Sequence, residues 1–313
     1  MKSFYNTDLG KCYLGDSLKV LSNLEEKSVN LVITSPPFAL RRKKSYGNVP
    51  PDEYIEWFWP YAKEIARVLT PRGSFVLEIG GSYVRGVPIK SLYNFELLVK
   101  LCAIDGIFKL AQDFYWFNPA KLPAPAQWVN VKRVRVKDAV QPIWWLSKSN
   151  HPYANNRRVL KQYTASMERL LKRGYNKGPR PSGHDISSKW KRRNRGAIPP
   201  NLINNPFNMI TASNTKSSDL YIDGCKERNL KIHPARFAEA IPKFFIEFLT
   251  KPGQMVLDPF AGSNVVGKVA EDLKRKWISI EKDQEYVAGS AFRFGRINKN
   301  ILKVLGRKEY DSS

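Results

Sequence analysis

The chain of 313 residues is long enough for one large domain or two smaller ones, with an ample core. Its 42% hydrophobic and 12% aromatic residues favour a folded protein. The formal charge of +24, from 52 Lys and Arg against 28 Asp and Glu, predicts a polyanionic partner, with nucleic acid favoured over a membrane surface. No apolar stretch reaches the length of a membrane span and no signal-peptide core is seen, so an intracellular, cytoplasmic protein without membrane attachment is expected.

The cysteines and histidines are scattered along the chain and form no C-x-x-C pair. The sequence therefore supports neither a disulfide framework nor a zinc site, and no metal is expected unless distant residues converge in space. These residues are Cys12, Cys102, Cys225, His151, His184 and His233.

The first predicted elements are a strand at residues 11–14 and a helix that follows it. Asp16 lies where this strand turns into the helix. Its carboxylate is therefore either the helix N-cap or a group that binds a ligand.

The next strand, residues 29–33, is apolar and ends at the T-S-P-P-F stretch of residues 34–38. Two prolines make this strand end rigid, Ser35 offers a hydroxyl group and Phe38 offers a flat ring. The stretch predicts a pocket for a planar, hydrogen-bonding ligand such as a base, with an ordinary proline-rich turn as the alternative. Four cations follow and suit phosphate contacts, although a solvated charge run would look the same. They are Arg41, Arg42, Lys43 and Lys44.

Helices are then predicted over residues 52–69 and 91–105, and strands over residues 74–81, 109–117 and 139–146. The aromatic residues of the first helix recur at helical spacing and are expected to serve the core rather than a cofactor site. The order of strands and helices predicts an α/β fold with a parallel or mostly parallel sheet and helices on both faces.

The character of the chain changes at residue 120. Between residues 120 and 200 there are 19 Lys and Arg against three acidic residues, which is a net charge of +16 out of +24. Pro, Gly, Asn and Ser interrupt this span, so it is not expected to form a regular part of the sheet. Its charge predicts a phosphate-binding insert that also reaches base edges, with a disordered basic insertion as the alternative.

Regular patterning returns at residue 233, with a helix predicted to extend to Leu249. An apolar strand then ends in Asp258 and is followed by a turn containing Gly262, and the next strand ends in Glu281. An acid about twenty residues beyond a glycine-containing turn from strand to helix predicts a nucleotide half-site, where the carboxylate accepts from ribose hydroxyls.

Together these stretches resemble the permuted, β-class S-adenosylmethionine-dependent DNA methyltransferases that act on exocyclic amino groups. T-S-P-P-F at residues 34–38 is similar to the catalytic motif in the serine form associated with cytosine N4. V-L-D-P-F-A-G-S-N at residues 256–264 resembles the cofactor motif, residues 277–281 the ribose-reading strand, and residues 233–249 the helix that flanks the methionine moiety. Stretches at residues 113–119, 137–140 and 180–186 resemble the PvuII-type modification methylases in particular. One departure is that Ser263 stands where a broader pattern has a second glycine.

The resemblance implies a Rossmann-like, circularly permuted class I fold with a basic target-recognition insert, S-adenosylmethionine as cofactor and duplex DNA as partner. The implied catalytic group is Ser35, Pro36, Pro37 and Phe38. The implied cofactor-binding group is Asp16, Thr34, His233, Pro234, Arg236, Asp258, Phe260, Gly262, Ser263, Asn264 and Glu281. The implied DNA-binding group is the four cations after Phe38 with Lys132, Arg133, Arg135, Arg180, His184, Lys191, Arg192 and Arg193.

The expected domains are a discontinuous catalytic and cofactor-binding domain, residues 1–119 and 231–300, a target-recognition region, residues 120–230, part of which packs on the sheet, and a tail, residues 301–313. The expected activity is methylation of cytosine N4 in a restriction-modification system, where a restriction endonuclease would accompany the enzyme without a stable complex. An adenine-N6 methyltransferase and an inactive DNA-binding module are the alternatives. Methylation at cytosine C5 is disfavoured because no cysteine follows a proline.

Overall fold

The structure is a computed structural model that describes residues 1–39, 47–174, 178–179, 181–183, 185–186, 193–203 and 219–295, with residues 301, 303 and 306. The strands in these ranges are β1 (Tyr5–Asn6), β2 (Gly10–Leu14), β3 (Val29–Thr34), β4 (Leu69–Glu78), β5 (Lys109–Phe117), β6 (Val140–Ser147), β7 (Gly178–Pro179), β8 (Asp185–Ile186), β9 (Leu202–Ile203), β10 (Met255–Asp258) and β11 (Lys276–Glu281). The α-helices are α1 (Ser17–Ser22), α2 (Tyr54–Val68), α3 (Tyr93–Val99), α4 (Ala165–Arg173), α5 (Leu220–Glu227), α6 (Ala240–Leu249), α7 (Val265–Asp272) and α8 (Gln284–Ser290).

Nine strands form one sheet in the order β1-β2-β11-β10-β3-β4-β6-β5-β9. Strands β2, β11, β10, β3 and β4 pair in parallel, whereas β6 is antiparallel to both β4 and β5. The predicted α/β fold with a mostly parallel sheet is therefore confirmed. Because β6 reverses the direction, the carboxyl ends of the parallel strands and of β5 lie along one edge of the sheet, together with the amino end of β6.

Strand β3 shows how the sheet is covered on both faces. Val32 belongs to the large apolar cluster that includes Phe58 and Ile65 of α2. Leu31 and Ile33 point to the opposite face because side chains alternate along a strand, and both are fully buried. Helix α6 packs against β3. A continuous apolar strand such as Val29–Thr34 is what a sheet buried on both faces requires.

Two elements before residue 110 differ clearly from the sequence prediction. Strand β4 begins at Leu69 rather than at residue 74, because Leu69 pairs with Val29 before the register shifts at Leu31. The helix predicted over residues 91–105 is the short α3 followed by a turn of π-helix, Lys100–Ile104. In the part of the chain that the structure describes, no helix combines the length and apolar character needed to cross a membrane.

The chain divides into two compact units, one formed by residues 1–154 and 201–313 and the other by Asn155–Pro200. The first contains the nine-stranded sheet, including β6, which lies inside the region predicted for target recognition. In the second, Lys161 and Ala197 exchange backbone hydrogen bonds of 2.9 and 2.8 Å, and Thr164 caps the amino end of α4.

Candidate active site

A cavity of about 550 Å³ lies at the edge of the sheet where the strand ends converge. Seven neighbouring strands each bring one polar side chain to its wall. In spatial order from β2 through β11, β10, β3, β4 and β6 to β5, they are Asp16, Glu281, Asp258, Ser35, Glu78, Gln141 and Trp116. We call the part around the first three the acidic half and the part around the last four the serine half. Residues more than 200 positions apart in sequence thus share one cavity.

Asp258 is held in the acidic half by a hydrogen bond across two neighbouring strands. Thr34 Oγ1 donates to Asp258 Oδ1 at 2.6 Å, and the Phe260 N–H donates to the same oxygen at 3.0 Å. Burial raises the pKa of Asp258 to about 7, although both hydrogen bonds act to lower it. Thr34 is itself fully buried and is not part of the cavity wall, so it supports Asp258 instead of reaching a ligand.

Glu281 is fixed by the backbone of two loops. Its Oε2 accepts from the Gly262 N–H at 2.9 Å, and its Oε1 accepts from the N–H groups of Lys282 and Asp283, each at 2.9 Å. Burial raises the pKa of Glu281, and these three hydrogen bonds partly offset the effect. A carboxylate has about four acceptor positions, so one remains for a ligand hydroxyl.

Gly262 is needed in the turn after β10 for two reasons. Its φ of +51° lies in the left-handed region, and a Cβ there would come within 3.1 Å of the His233 ring. Ser263 also lies on the cavity wall, where Arg293 Nε donates to its carbonyl oxygen at 2.6 Å and Arg293 Nη2 donates to its hydroxyl group at 3.2 Å. Two hydrogen bonds from Arg293 thus help to hold this turn in place.

Asn264 has a different place from the one implied by the resemblance. It is fully buried, caps the amino end of α7 through the Gly267 N–H, and does not form part of the cavity wall. Its amide also bonds to Tyr5 and Ser279, each through a side-chain hydroxyl. These contacts give Asn264 a structural role in joining β1, β11 and α7.

The loop of residues 233–237 precedes α6, which begins at Ala240, so His233 is not a helix-start residue. His233, Pro234 and Arg236 all lie on the cavity wall. The His233 N–H donates to Tyr221 Oη at 2.7 Å, and burial lowers the pKa of the imidazole. A neutral imidazole is therefore favoured at this end of the acidic half.

The structure places Asp16 both at the amino end of α1 and at the cavity wall. Its Oδ1 accepts from the Lys19 N–H at 3.1 Å, which makes it the N-cap of α1, and its side chain also forms part of the cavity wall. The second oxygen of an exposed carboxylate remains able to accept from a ligand.

In the serine half, Ser35 is hydrogen-bonded to Glu78, which ends β4. Glu78 is 3% exposed, and burial raises the pKa of its carboxyl group to about 7. Gln141 Nε2 donates to Glu78 Oε1 at 3.1 Å. A hydroxyl group therefore lies at the cavity wall with a buried carboxyl group next to it, which is able to take up or release a proton near neutral pH.

Phe38 packs directly on the backbone of Gly80, where a Cβ would lie 2.6 Å from its ring. The Tyr93 hydroxyl group donates to the Gly80 carbonyl oxygen and fixes that loop. Pro36, Pro37 and Phe38 all form part of the cavity wall. The T-S-P-P-F stretch therefore borders the cavity through four of its five residues.

Sequence reasoning missed several residues of the wall. Trp57 and Tyr61 of α2 form part of it, and their rings lie 5.9 and 5.0 Å from that of Phe260, so not all aromatics of this helix serve only the core. Glu78 ends a buried apolar strand, as Glu281 does, and that shared pattern could have identified it. Gln141 and Trp116 carry no comparable sequence signal.

The DNA-binding prediction can be followed only for part of its residues. Lys132 and Arg133 are exposed next to a short π-helix, Gln127–Val131. Arg135 is half-buried, donates to the Pro88 carbonyl oxygen at 2.8 Å and lies over the Tyr83 ring. Arg193 pairs with a glutamate of α4 at 2.8 Å. The others lie outside the described residues: Arg41, Arg42, Lys43, Lys44, Arg180, His184, Lys191 and Arg192.

A family-wide sequence profile described as DNA methylase (N6_N4_Mtase) matches residues 29–292, which include the whole T-S-P-P-F stretch and both acids of the half-site. The chain belongs to this DNA methylase family. The predicted family is thus confirmed.

Individual relatives agree with this result. The chain is 48% identical to the Type II methyltransferase M.PvuII of Proteus hauseri over 96% of this chain and 87% of the relative. It is 26% identical to the Type II methyltransferase M.BglII of Bacillus subtilis over 91% of this chain and 69% of the relative. A solved structure described as PvuII DNA methyltransferase (cytosine-N4-specific) superposes with a TM-score of 0.76 and 44% identity, covering 98% of this chain and 94% of that one.

Proposed function

We infer that this chain is an S-adenosylmethionine-dependent DNA methyltransferase that methylates the exocyclic N4 of cytosine. The proposal rests on the position of Ser35. This residue lies at the wall of the cavity, is hydrogen-bonded to the buried Glu78 and is next to the acidic half. The similarity to M.PvuII over 96% of the chain supports the same target atom.

The acidic half fits S-adenosylmethionine in its chemistry. That molecule carries cationic sulfonium and ammonium groups, ribose hydroxyls and an adenine amine, all of which favour acceptors or anions. Glu281 would take a ribose hydroxyl at its remaining acceptor position, and Asp16 would accept from the adenine amine. Asp258 and the loop of residues 233–237 would face the methionine part. When bound, the cofactor supplies an electrophilic methyl group.

The serine half would hold the target base. Cytosine N4 cannot be reached in line with a methyl donor inside a duplex, so the nucleotide must be flipped out of the helix. Phe38 would stack on the base, while Ser35 Oγ and the Pro36 carbonyl oxygen would accept the two N4–H bonds. These two acceptors orient the lone pair of N4, and such positioning supplies most of the catalysis because a serine hydroxyl is not a strong base.

Glu78 can serve as the final acceptor of the N4 proton. As the methyl group bonds to N4 the amine becomes acidic, and Ser35 Oγ can accept its proton while the Ser35 hydroxyl proton passes to the Glu78 carboxylate. The pKa of about 7 makes the Glu78 carboxylate a better proton acceptor than an ordinary glutamate. Gln141, whose Nε2 donates to Glu78 Oε1, would help to hold the carboxyl group in place beside Ser35.

Duplex DNA is the proposed substrate, in keeping with the +24 charge of the chain. We place the enzyme in the cytoplasm as the modification component of a restriction-modification system. The restriction endonuclease would recognise the same site without forming a stable complex with this chain.

Nucleoside mass spectrometry of DNA treated with the protein and S-adenosylmethionine tests the proposal. The expected product is N4-methylcytosine, and it should not form when S-adenosylmethionine is omitted. N6-methyladenine as the sole product would contradict the cytosine assignment, and tight DNA binding without methyl incorporation on any DNA would identify an inactive binding module.

A further inference from the structure

Trp116 is the wall residue of the serine half whose chemistry the proposed function leaves unused. It lies near the carboxyl end of β5 and is 4% exposed. Within the described ranges its Nε1–H has no hydrogen-bond partner. A buried donor without an acceptor costs free energy, and buried donors are therefore nearly always paired. Because Trp116 lies on the cavity wall, a ligand that carries a hydrogen-bond acceptor would explain why this N–H is unpaired in the protein alone.

The sheet places Trp116 in line with the residues that would hold N4. Trp116 is directly opposite Gln141 in the antiparallel β5–β6 pair, so both side chains lie on the same face. Gln141 bonds to Glu78, and Glu78 bonds to Ser35. With strands roughly 4.8 Å apart, β3 and β5 are separated by about 14 Å, so Ser35 and Trp116 lie at opposite ends of the serine half of the cavity.

The edge of cytosine has a matching pattern. Its hydrogen-bonding edge carries the N4 amine at one end, N3 in the middle and the O2 carbonyl at the other end. If Ser35 accepts from N4, the acceptor that points away from Ser35 is O2. Adenine has its N6 amine and N1 in corresponding positions, but a C2–H where cytosine has O2, so it cannot satisfy a donor there.

We propose that the Trp116 Nε1–H donates a hydrogen bond to O2 of the flipped cytosine and thereby sets the preference of the pocket for cytosine over adenine. The inference rests on the proposed function. A site built to hydrogen-bond a group of the right substrate rejects an analogue without that group, because the partner in the site is left buried and unpaired. Trp116 thus reads one end of the base and Ser35 the other.

The test combines Trp116→Phe with a change of a single atom in the substrate. Trp116→Phe keeps an aromatic ring and removes the N–H, and 2-thiocytosine at the target position replaces O2 with sulfur, a weaker acceptor. On cytosine, kcat/KM of Trp116→Phe should fall by about 10- to 100-fold. The wild type should lose activity on 2-thiocytosine, whereas Trp116→Phe should show little further loss, because the hydrogen bond has already been removed.

Trp145→Phe is the matched control. Trp145 Nε1 donates to Ser74 Oγ at 2.9 Å in the core, and Trp145 is not part of the cavity wall. This variant should lose stability but keep the full wild-type penalty for 2-thiocytosine. That penalty is measured within each variant, so an overall loss of active protein does not affect it.

The outcomes separate the two claims. An equal penalty for 2-thiocytosine in the wild type and in Trp116→Phe would overturn the role of Trp116 while leaving cytosine-N4 methylation intact. A wild type that forms no N4-methylcytosine on ordinary DNA would overturn the proposed function, and the inference with it.

Discussion

Thr34 and Asp258 are 224 positions apart in sequence, yet Thr34 Oγ1 donates a 2.6 Å hydrogen bond to Asp258 Oδ1. The bond joins the end of β3, which continues into the T-S-P-P-F stretch, to the end of β10, which precedes the turn that contains Gly262. The two strands are far apart in sequence, and their parallel pairing makes them neighbours in the sheet. In the proposed mechanism, the relative placement of the methyl donor and Ser35 therefore depends on this strand pair.

Thr34→Val tests the role of that hydrogen bond. Valine has a similar shape but no hydroxyl group, so the pKa of Asp258 should rise further above 7 and less carboxylate should be present at neutral pH. The Kd for S-adenosylmethionine, measured by titration calorimetry at pH 7, should increase by about 5- to 10-fold. The increase should shrink at pH 9, where Asp258 is ionised in both proteins.

Thr250→Val is the control for this experiment. Thr250 is a fully buried threonine outside the cavity wall, and its hydroxyl group donates to the Ile246 carbonyl oxygen at 2.5 Å. This variant should lose stability but bind S-adenosylmethionine as the wild type does. An equal loss of affinity in both variants would show that the effect of Thr34→Val is merely a loss of stability.

A pair of adjacent glycines tests the placement of Phe38. In Gly80→Ala the new Cβ would lie 2.6 Å from the Phe38 ring and would displace it, whereas in Gly81→Ala the Cβ has no atom within 4 Å. Methyl transfer by Gly80→Ala should fall by at least about tenfold, since small misplacements at an active site are costly. S-adenosylmethionine binding should be unchanged, and Gly81→Ala should behave as the wild type. Full activity of Gly80→Ala would remove Phe38 from the base-binding site.

The pH dependence of methyl transfer should follow Glu78. Below its pKa of about 7 the carboxyl group is protonated and cannot accept a proton through Ser35, so the rate should rise with pH through about 7 and then level off. The measurement is a pH–rate profile with both substrates saturating, which removes the effect of Asp258 on cofactor binding. Glu78→Gln should be slower by about 100-fold and lack this step. The same step in Glu78→Gln would assign the titration to another group.

Part of this site could be predicted from the sequence, because polar residues directly follow apolar strands. Asp258, Glu281 and Ser35 each end a run of buried residues, and parallel strands gather their carboxyl ends at one edge. Glu78 offered the same pattern. Gln141 lies at the beginning of a strand, so its place depends on the antiparallel direction of β6, which the hydrophobic pattern does not encode.

The sequence also did not predict which motif residues hold other protein groups in place instead of lining the cavity. Thr34 and Asn264 belong to matching motifs, yet both are fully buried and hold other groups in place. A motif identifies which residues occur together, whereas the direction of each side chain depends on the packing around it. For the same reason Arg135, which lies in a strongly basic segment, is engaged in contacts with Tyr83 and Pro88.

The exposed cations Lys132 and Arg133 are expected to contact phosphates. A double variant, Lys132→Ala with Arg133→Ala, should bind duplex DNA more weakly at all sequences and lower the slope of log K against log salt by about two, since each phosphate contact contributes about 0.9. Fluorescence anisotropy over a range of salt concentrations measures both effects. Lys251→Ala with Lys276→Ala, which removes two exposed cations near the amino ends of β10 and β11 and away from the cavity, is the control and should leave the slope unchanged. A DNA affinity of the wild type that does not change with salt would contradict the phosphate-binding role.

The most direct measurement is the single-turnover formation of N4-methylcytosine by Ser35→Ala, alongside its binding of S-adenosylmethionine and of target DNA. Alanine removes the hydroxyl group that would accept from N4–H and relay the proton to Glu78, while Thr34 and the proline pair remain in place. We expect methyl transfer to fall by at least about 100-fold with both binding constants near those of the wild type. Transfer at the wild-type rate by Ser35→Ala would contradict the placement of the reaction at this residue.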